Sequence, residues 1–208
     1  SRAAYKLIHI DEKFSLLGKG DRVLDLGAAP GSWLQVAARK VGRSGHVVGI
    51  DLLPVDGPFD PDVVTTIHGD ATAISPADLI TCIPGASQPA FDVILSDMAP
   101  STTGDRTIDH HGSINLCQTT LWIAATSLKQ GGHVVMKVLE GEAYSDLMDQ
   151  TKSMFTMARG FKPKASRSVS TEMFIIGLDR LSDLPPIPAP QMPTSPVPPP
   201  PPGPRWQV

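Results

Sequence analysis

Lys137 interrupts an otherwise apolar run, Val134-Val-Met-Lys-Val-Leu139. A charged amine on a buried strand has lost its water, so it needs a partner or a task. Four aspartates end or follow other apolar runs: Asp25, Asp51, Asp70 in His68-Gly-Asp70, and Asp97 in Leu95-Ser-Asp-Met-Ala-Pro100. In an open α/β sheet, ligands bind at the carboxyl ends of the strands, where such carboxylates can accept hydrogen bonds from hydroxyl or amino groups. The segment Asp25-Leu-Gly-Ala-Ala-Pro-Gly31 joins a strand to a helix and offers a ligand backbone N–H groups and a positive helix end. Alanine stands where a dinucleotide fingerprint needs glycine, and no Gly-Lys-Ser/Thr is present to cradle a triphosphate. Asp51 follows Gly31 by twenty residues, the spacing at which a carboxylate grips a ribose diol. The pattern therefore points to an adenosine-type ligand without a pyrophosphate. Asp70 is the candidate for the adenine amino group, although aspartate also favours turns for purely local reasons.

The elements that must position these residues are read from periodicity. Leu7, Ile10, Phe14 and Leu17 recur at helical spacing, so a helix is expected over 2–17. Strands are expected over 22–26, 46–51, 63–68, 92–96, 133–138 and 173–178, and helices over 32–41, 113–129 and 145–158. Gly131 and Gly132 are read as the stop of the third of these helices. The alternation of strand and helix argues a mostly parallel α/β sheet. The last strand follows too short a loop for a parallel crossover and is expected to enter antiparallel.

Composition limits the rest. Twelve of the 21 prolines fall in the last 24 residues, which marks 1–184 as the folded domain and 185–208 as a disordered, dispensable tail. The whole chain carries a net charge of −3, which gives no global support to a nucleic-acid partner. Any such contact is then local, at Lys6, Arg2 and the stretch from Lys162 to Arg167. Cys82 and Cys117 lack metal spacing and read as reduced core residues, and no metal is expected among the histidines, with His110-His111 read as loop polarity. No apolar run is long enough for a membrane helix. The chain opens at Ser1, without methionine, so a preceding segment is expected.

Leu26-Gly-Ala-Ala-Pro-Gly-Ser-Trp33, Asp51-Leu-Leu-Pro-Val-Asp56, Leu95-Ser-Asp-Met-Ala-Pro100 and Val135-Met-Lys-Val138 occur in that order. Together they resemble the FtsJ/RrmJ family of ribose 2′-O-methyltransferases, over residues 1 to about 180. The resemblance implies a Rossmann-like fold with a seven-stranded sheet, helices on both faces and an antiparallel pair at its end. It also implies S-adenosyl-L-methionine as cofactor and a catalytic tetrad that falls on Lys6, Asp97, Lys137 and Glu172. Cofactor contacts fall on Gly31, Trp33, Asp51, Asp70 and Asp97. Ser32, Leu139-Glu140 and Ser101-Thr-Thr-Gly104 depart from the family pattern without touching the tetrad.

Methyl transfer from a sulfonium to a ribose hydroxyl is an in-line displacement, and the hydroxyl attacks well only once its proton is removed. The resemblance makes Lys137 that base, Asp97 its positioning group, Lys6 a neighbouring cation and Glu172 the residue that positions Lys6 or the ribose. It further implies a uridine in large-subunit ribosomal RNA as substrate, within the subunit, a cytoplasmic location and a monomer. The alternatives are a transfer-RNA methyltransferase of the same family, a dinucleotide oxidoreductase, and a non-catalytic RNA-binding assembly factor.

Overall fold

The computed structural model describes residues 1–55, 57–86, 89–163 and 171–190. Helix α1 (Arg2–Phe14) precedes β1 (Arg22–Leu26), α2 (Ser32–Val41) and β2 (His46–Asp51). These are followed by β3 (Val64–His68), α3 (Pro76–Thr81), β4 (Phe91–Ser96), α4 (Arg106–Ser127) and β5 (Leu128–Leu139). The described fold closes with α5 (Tyr144–Met154), β6 (Phe155–Phe161) and β7 (Glu172–Arg180). The seven strands form one sheet in the order β3-β2-β1-β4-β5-β7-β6. β1 to β5 run parallel, while β7 lies antiparallel to both β5 and β6. Both faces are covered: Leu7, Ile10, Trp33 and Leu34 of α1 and α2 pack with Val23, Val93 and Val135 on one side. Leu79, Leu121, Ile123 and Leu147 of α3 to α5 pack with Leu24, Ile94 and Met136 on the other. Two-sided cover explains why the central strands read as unbroken apolar runs.

Four elements differ from their sequence-based expectation, each for a physical reason. Helix α1 stops at Phe14 because Ser15 turns left-handed, and the buried Asp11 carboxylate accepts the N–H groups of Leu16 and Leu17 at 3.0 and 2.9 Å. Helix α4 starts seven residues earlier than expected, where Asp105 accepts from the N–H groups of Thr107 and Ile108. That extension turns His110 inward, where it is buried, rather than leaving it as loop polarity. Gly131 and Gly132 are not a helix stop but lie inside β5, where the register with β4 shifts, and Gly131 takes φ +77°. Finally, Phe155–Phe161 is an edge strand and not the end of a helix. Phe155 fills the space that Gly177 leaves on β7, where an added Cβ would come within 2.8 Å of its ring.

Helix α3 had no sequence expectation, yet Ser75-Pro-Ala-Asp78 is a helix start, with Ser75 Oγ accepting from Asp78 N–H at 3.1 Å. At the other end, Leu184 and Ile187 pack against the α4-side core, so packing continues past the boundary expected at residue 184. Residues 191–208, with Arg205 and Trp206, lie outside the described residues, as does the stretch from Lys164 to Arg167. Among the described residues, no helix is long and apolar enough to cross a membrane. Because Phe155 locks α5 to the β6–β7 pair, Phe155→Ala is expected to lower stability by about 3–5 kcal/mol, measured by urea unfolding.

Candidate active site

Parallel strands bring their carboxyl ends to one edge, and the loops that leave that edge build a cleft of about 260 Å³. Gly27 and Ala29 after β1, Asp51 and Leu52 at β2, Gly69 to Thr72 after β3, Asp97 to Ala99 after β4, and Leu116 of α4 line it. Gly27 is required there: its φ is +79°, and a Cβ would meet the backbone nitrogen of Met98 at 2.9 Å. Asp51 Oδ2 accepts from Ala29 N–H at 2.9 Å and Oδ1 from Leu53 N–H at 2.8 Å, which pins the glycine loop to the end of β2. Asp70 Oδ1 accepts from both the N–H and the hydroxyl of Thr72, at 2.8 and 2.7 Å. Both aspartates thus make the local bonds that aspartate favours in turns and also face the cleft.

The cleft lining holds three carboxylates and no lysine or arginine. Such a set of acceptors suits a ligand with hydroxyl and amino donors and net positive charge, and it opposes a pyrophosphate. S-adenosylmethionine has that chemistry, and these residues fit it.

Two expected cofactor contacts are placed elsewhere. Trp33 is 3% exposed, packs against the Phe174 ring at 5.8 Å and donates its indole N–H to Ala3 O at 2.9 Å. It fastens α1 to α2 and does not line the cleft. Gly31 is also absent from the lining; it begins α2 at φ 103°, with the Phe59 ring within 2.9 Å of where a Cβ would stand. Asp25 is corrected as well. It points into the packed interior, fully buried, and neither carboxylate oxygen has a hydrogen-bond partner. Burial first, then the charges of Asp97 and Asp51, push its carboxyl well above the ordinary aspartate range.

The four tetrad residues do come together. Lys137 Nζ donates to the carbonyl oxygen of Asp97 at 2.7 Å and stands 3.1 Å from Asp97 Oδ1. Lys6 Nζ pairs with Glu172 Oε2 at 2.7 Å. In the β5–β7 register Lys137 lies opposite Phe174, so Glu172, two residues earlier on β7, shares its face of the sheet. Lys6 reaches the same place from α1, 5.9 Å from the Phe174 ring centroid. The lysine side chains are only 11% and 10% exposed, so Lys6 is not the solvated helix residue its isolated position would indicate. Of the four, Asp97 alone also lines the cleft.

Three residues support the site in ways their sequence positions did not indicate. Cys117, whose thiol burial pushes up to about 12, donates to Lys137 O at 3.1 Å and holds β5 from behind. His110 accepts from Ala143 N–H through Nε2 and bonds Leu139 O through Nδ1, which ties α4 to the turn after β5. Thr72 fixes Asp70, and only its place two residues after an aspartate signalled that. Both cysteines are free, and no cluster among the described residues could hold a metal ion.

Since the folded state keeps the Asp25 carboxyl protonated above the pH at which an unfolded chain ionises it, burial of Asp25 costs stability as pH rises above about 4. Stability of the unaltered protein relative to Asp25→Asn is expected to fall between pH 4 and pH 8 in urea unfolding; parallel pH curves would contradict a neutral Asp25.

The FtsJ-like methyltransferase family model matches residues 1–180. Ribosomal RNA large subunit methyltransferase E of Methanobrevibacter smithii is 40% identical over 179 residues, covering 86% of this chain and 83% of the relative. The protein of the same name from Psychrobacter arcticus is 44% identical over 178 residues, covering 86% and 82%. Among solved structures, a protein from Plasmodium falciparum assigned as a ribosomal RNA methyltransferase superposes with a TM-score of 0.74 at 28% identity, covering 87% of this chain and 98% of that one. Aeropyrum pernix fibrillarin, solved with natively bound S-adenosyl-L-methionine, shares the fold at a TM-score of 0.55 and 17% identity, covering 84% and 76%. The chain belongs to the FtsJ-like methyltransferase family.

Proposed function

We propose that this protein transfers a methyl group from S-adenosylmethionine to the 2′-hydroxyl of a uridine ribose in large-subunit ribosomal RNA, in the cytoplasm and as a monomer. The observation that carries the reading is the double role of Asp97, which lines the cleft and also holds the amine of Lys137. A donor in the cleft and a hydroxyl at Lys137 meet across that one residue. The relatives named for large-subunit ribosomal RNA support the choice of substrate.

Bound S-adenosylmethionine supplies an electrophilic methyl group on a positively charged sulfur. Asp51 is placed to accept from the ribose hydroxyls and Asp70 from the adenine amino group. Lys137, as the neutral amine whose two N–H groups point to Asp97, takes the 2′-hydroxyl proton on its nitrogen lone pair and becomes the ammonium, a step worth roughly 10²- to 10⁴-fold in rate. Asp97 fixes its Nζ by two oxygens, the carbonyl and the carboxylate, so the base cannot swing away from the acceptor. The Lys6–Glu172 pair sets a second cation and carboxylate on the same face, where the RNA ribose must lie. Arg2 and Lys13 are exposed on α1, and Lys162 follows β6, so cations border this face from two elements.

Transfer of a radiolabelled methyl group to purified large ribosomal subunits, to free ribosomal RNA and to transfer RNA tests the substrate. Label is expected in the large subunit; label confined to transfer RNA would replace this reading with the transfer-RNA one. Lys137→Ala is expected to lower turnover at least about 10²-fold while leaving cofactor affinity within a few-fold, measured by calorimetry alongside the methylation assay.

A further inference from the structure

Residues 185–190 lie beyond the family match, yet the chain does not leave the molecule there. Arg180 Nη2 donates to Ala125 O at 2.7 Å and Leu181 N–H to Met154 O at 2.9 Å, fastening the end of β7 to the ends of α4 and α5. Leu184 and Ile187 then pack on the core. Pro188, Ala189 and Pro190 come to line a cavity of about 560 Å³ with Thr72, Asn115 and Leu116 among its walls. Asn115 precedes Ala125 on α4 by ten residues, so the segment runs back along the helix by about 15 Å, toward the edge where the cleft opens.

Two residues belong to both cavities. Thr72 and Leu116 line the cleft on one side and the cavity under Pro188–Pro190 on the other. Thr72 is also the residue whose N–H and hydroxyl hold Asp70 Oδ1. We propose that residues 185–190 are a strap that braces the Thr72–Asp70 turn and Leu116, and so sets the affinity for the adenine end of the cofactor. The proposal rests on reading the cleft as a site for S-adenosylmethionine. Prolines at 185, 186, 188 and 190 have fixed φ, so little backbone entropy is lost when the strap lies down. The composition that marks the tail as dispensable therefore serves, in its first six residues, to make docking inexpensive. Ile187 is the anchor, since it is the apolar side chain of the segment that packs on the core.

Two full-length variants test the strap: Ile187→Asp, which sets a charge against the core, and Pro188→Gly combined with Pro190→Gly, which loosens the segment and keeps the anchor. Calorimetry with S-adenosylhomocysteine is expected to show about three- to tenfold weaker binding in both, with melting temperatures within a few degrees of the unaltered protein. S-inosylhomocysteine, in which a carbonyl replaces the adenine amino group, is expected to lose less, so discrimination between the two nucleosides narrows. In turnover the cofactor KM rises while kcat holds. If the unaltered chain binds S-adenosylhomocysteine and both variants bind it equally well, or if both nucleosides lose affinity equally, the strap is refuted. If the unaltered chain does not bind S-adenosylhomocysteine, the cofactor reading fails and the strap falls with it.

Discussion

Lys137 occupies a strand flanked by buried strands and covered on both faces, and an ammonium there has little water. What makes its position tenable is Asp97, whose carbonyl lies 2.7 Å from Nζ and whose carboxylate stands 3.1 Å away. That meeting requires β4 and β5 to be parallel and adjacent, because only then do a residue just past the end of one and a residue within the other fall side by side. It also requires β5 to extend beyond β4, which the register shift at Phe91/Val93 and the positive φ of Gly131 accommodate. The antiparallel entry of β7 follows as a second demand. Running against β5, it sets Glu172 diagonally from Lys137, where α1 can deliver Lys6 to it. The sheet order is thus what assembles two charge pairs drawn from four separate elements.

Each carboxylate near this edge has a different fate, set by what surrounds it. Asp51 and Asp70 are ringed by N–H and hydroxyl donors, which fix how their carboxylates face the cleft. Asp25, one strand inward, has no donor and faces two neighbouring carboxylates, so its carboxyl is pushed well above the ordinary aspartate range. The acid that opens the glycine loop sequence therefore belongs to the packed interior and not to the wall of the cleft.

Much of this was legible in the chain. Continuous apolar runs set the bounds of β1 and β2 to the residue, because both faces of those strands are covered, and a period-3.6 apolar pattern does the same for α2. Lys137 and Asp97 were marked by chemistry out of place, a charge in an apolar run and an acid at a strand end. Lys6 and Glu172 were not; each is unremarkable in its own segment, and only the resemblance pointed to them. Trp33 shows the opposite case, since a loop motif names neighbours of the ligand without saying which side chains turn inward to the core. Strand β6 was unreadable locally, because what ends α5 is the gap at Gly177, twenty-two residues after Phe155. His110 was misread for a related reason: its burial depends on where Asp105 starts the helix.

For an acidic protein, the proposed RNA substrate poses an electrostatic question that net charge does not answer. At physiological salt the screening length is about 8 Å, so a phosphate at the tetrad responds to charges near it and hardly to the far side of the molecule. Asp51, Asp70 and Asp97 line the cleft, and the first two of them also hold the backbone that shapes it. Their charge complements a sulfonium and an ammonium and is partly neutralised when such a ligand is bound. Lys6 and Lys137 each carry a carboxylate partner, so the face on which they lie presents paired charges and not a basic patch. Among the described residues, Arg2 and Lys13 are the exposed cations of α1 near this face, so on the proposed reading they, more than the paired lysines, supply attraction for RNA phosphates. A division of that kind separates long-range attraction, which comes from exposed charge, from the buried pairs, whose partners hold each amine in one position.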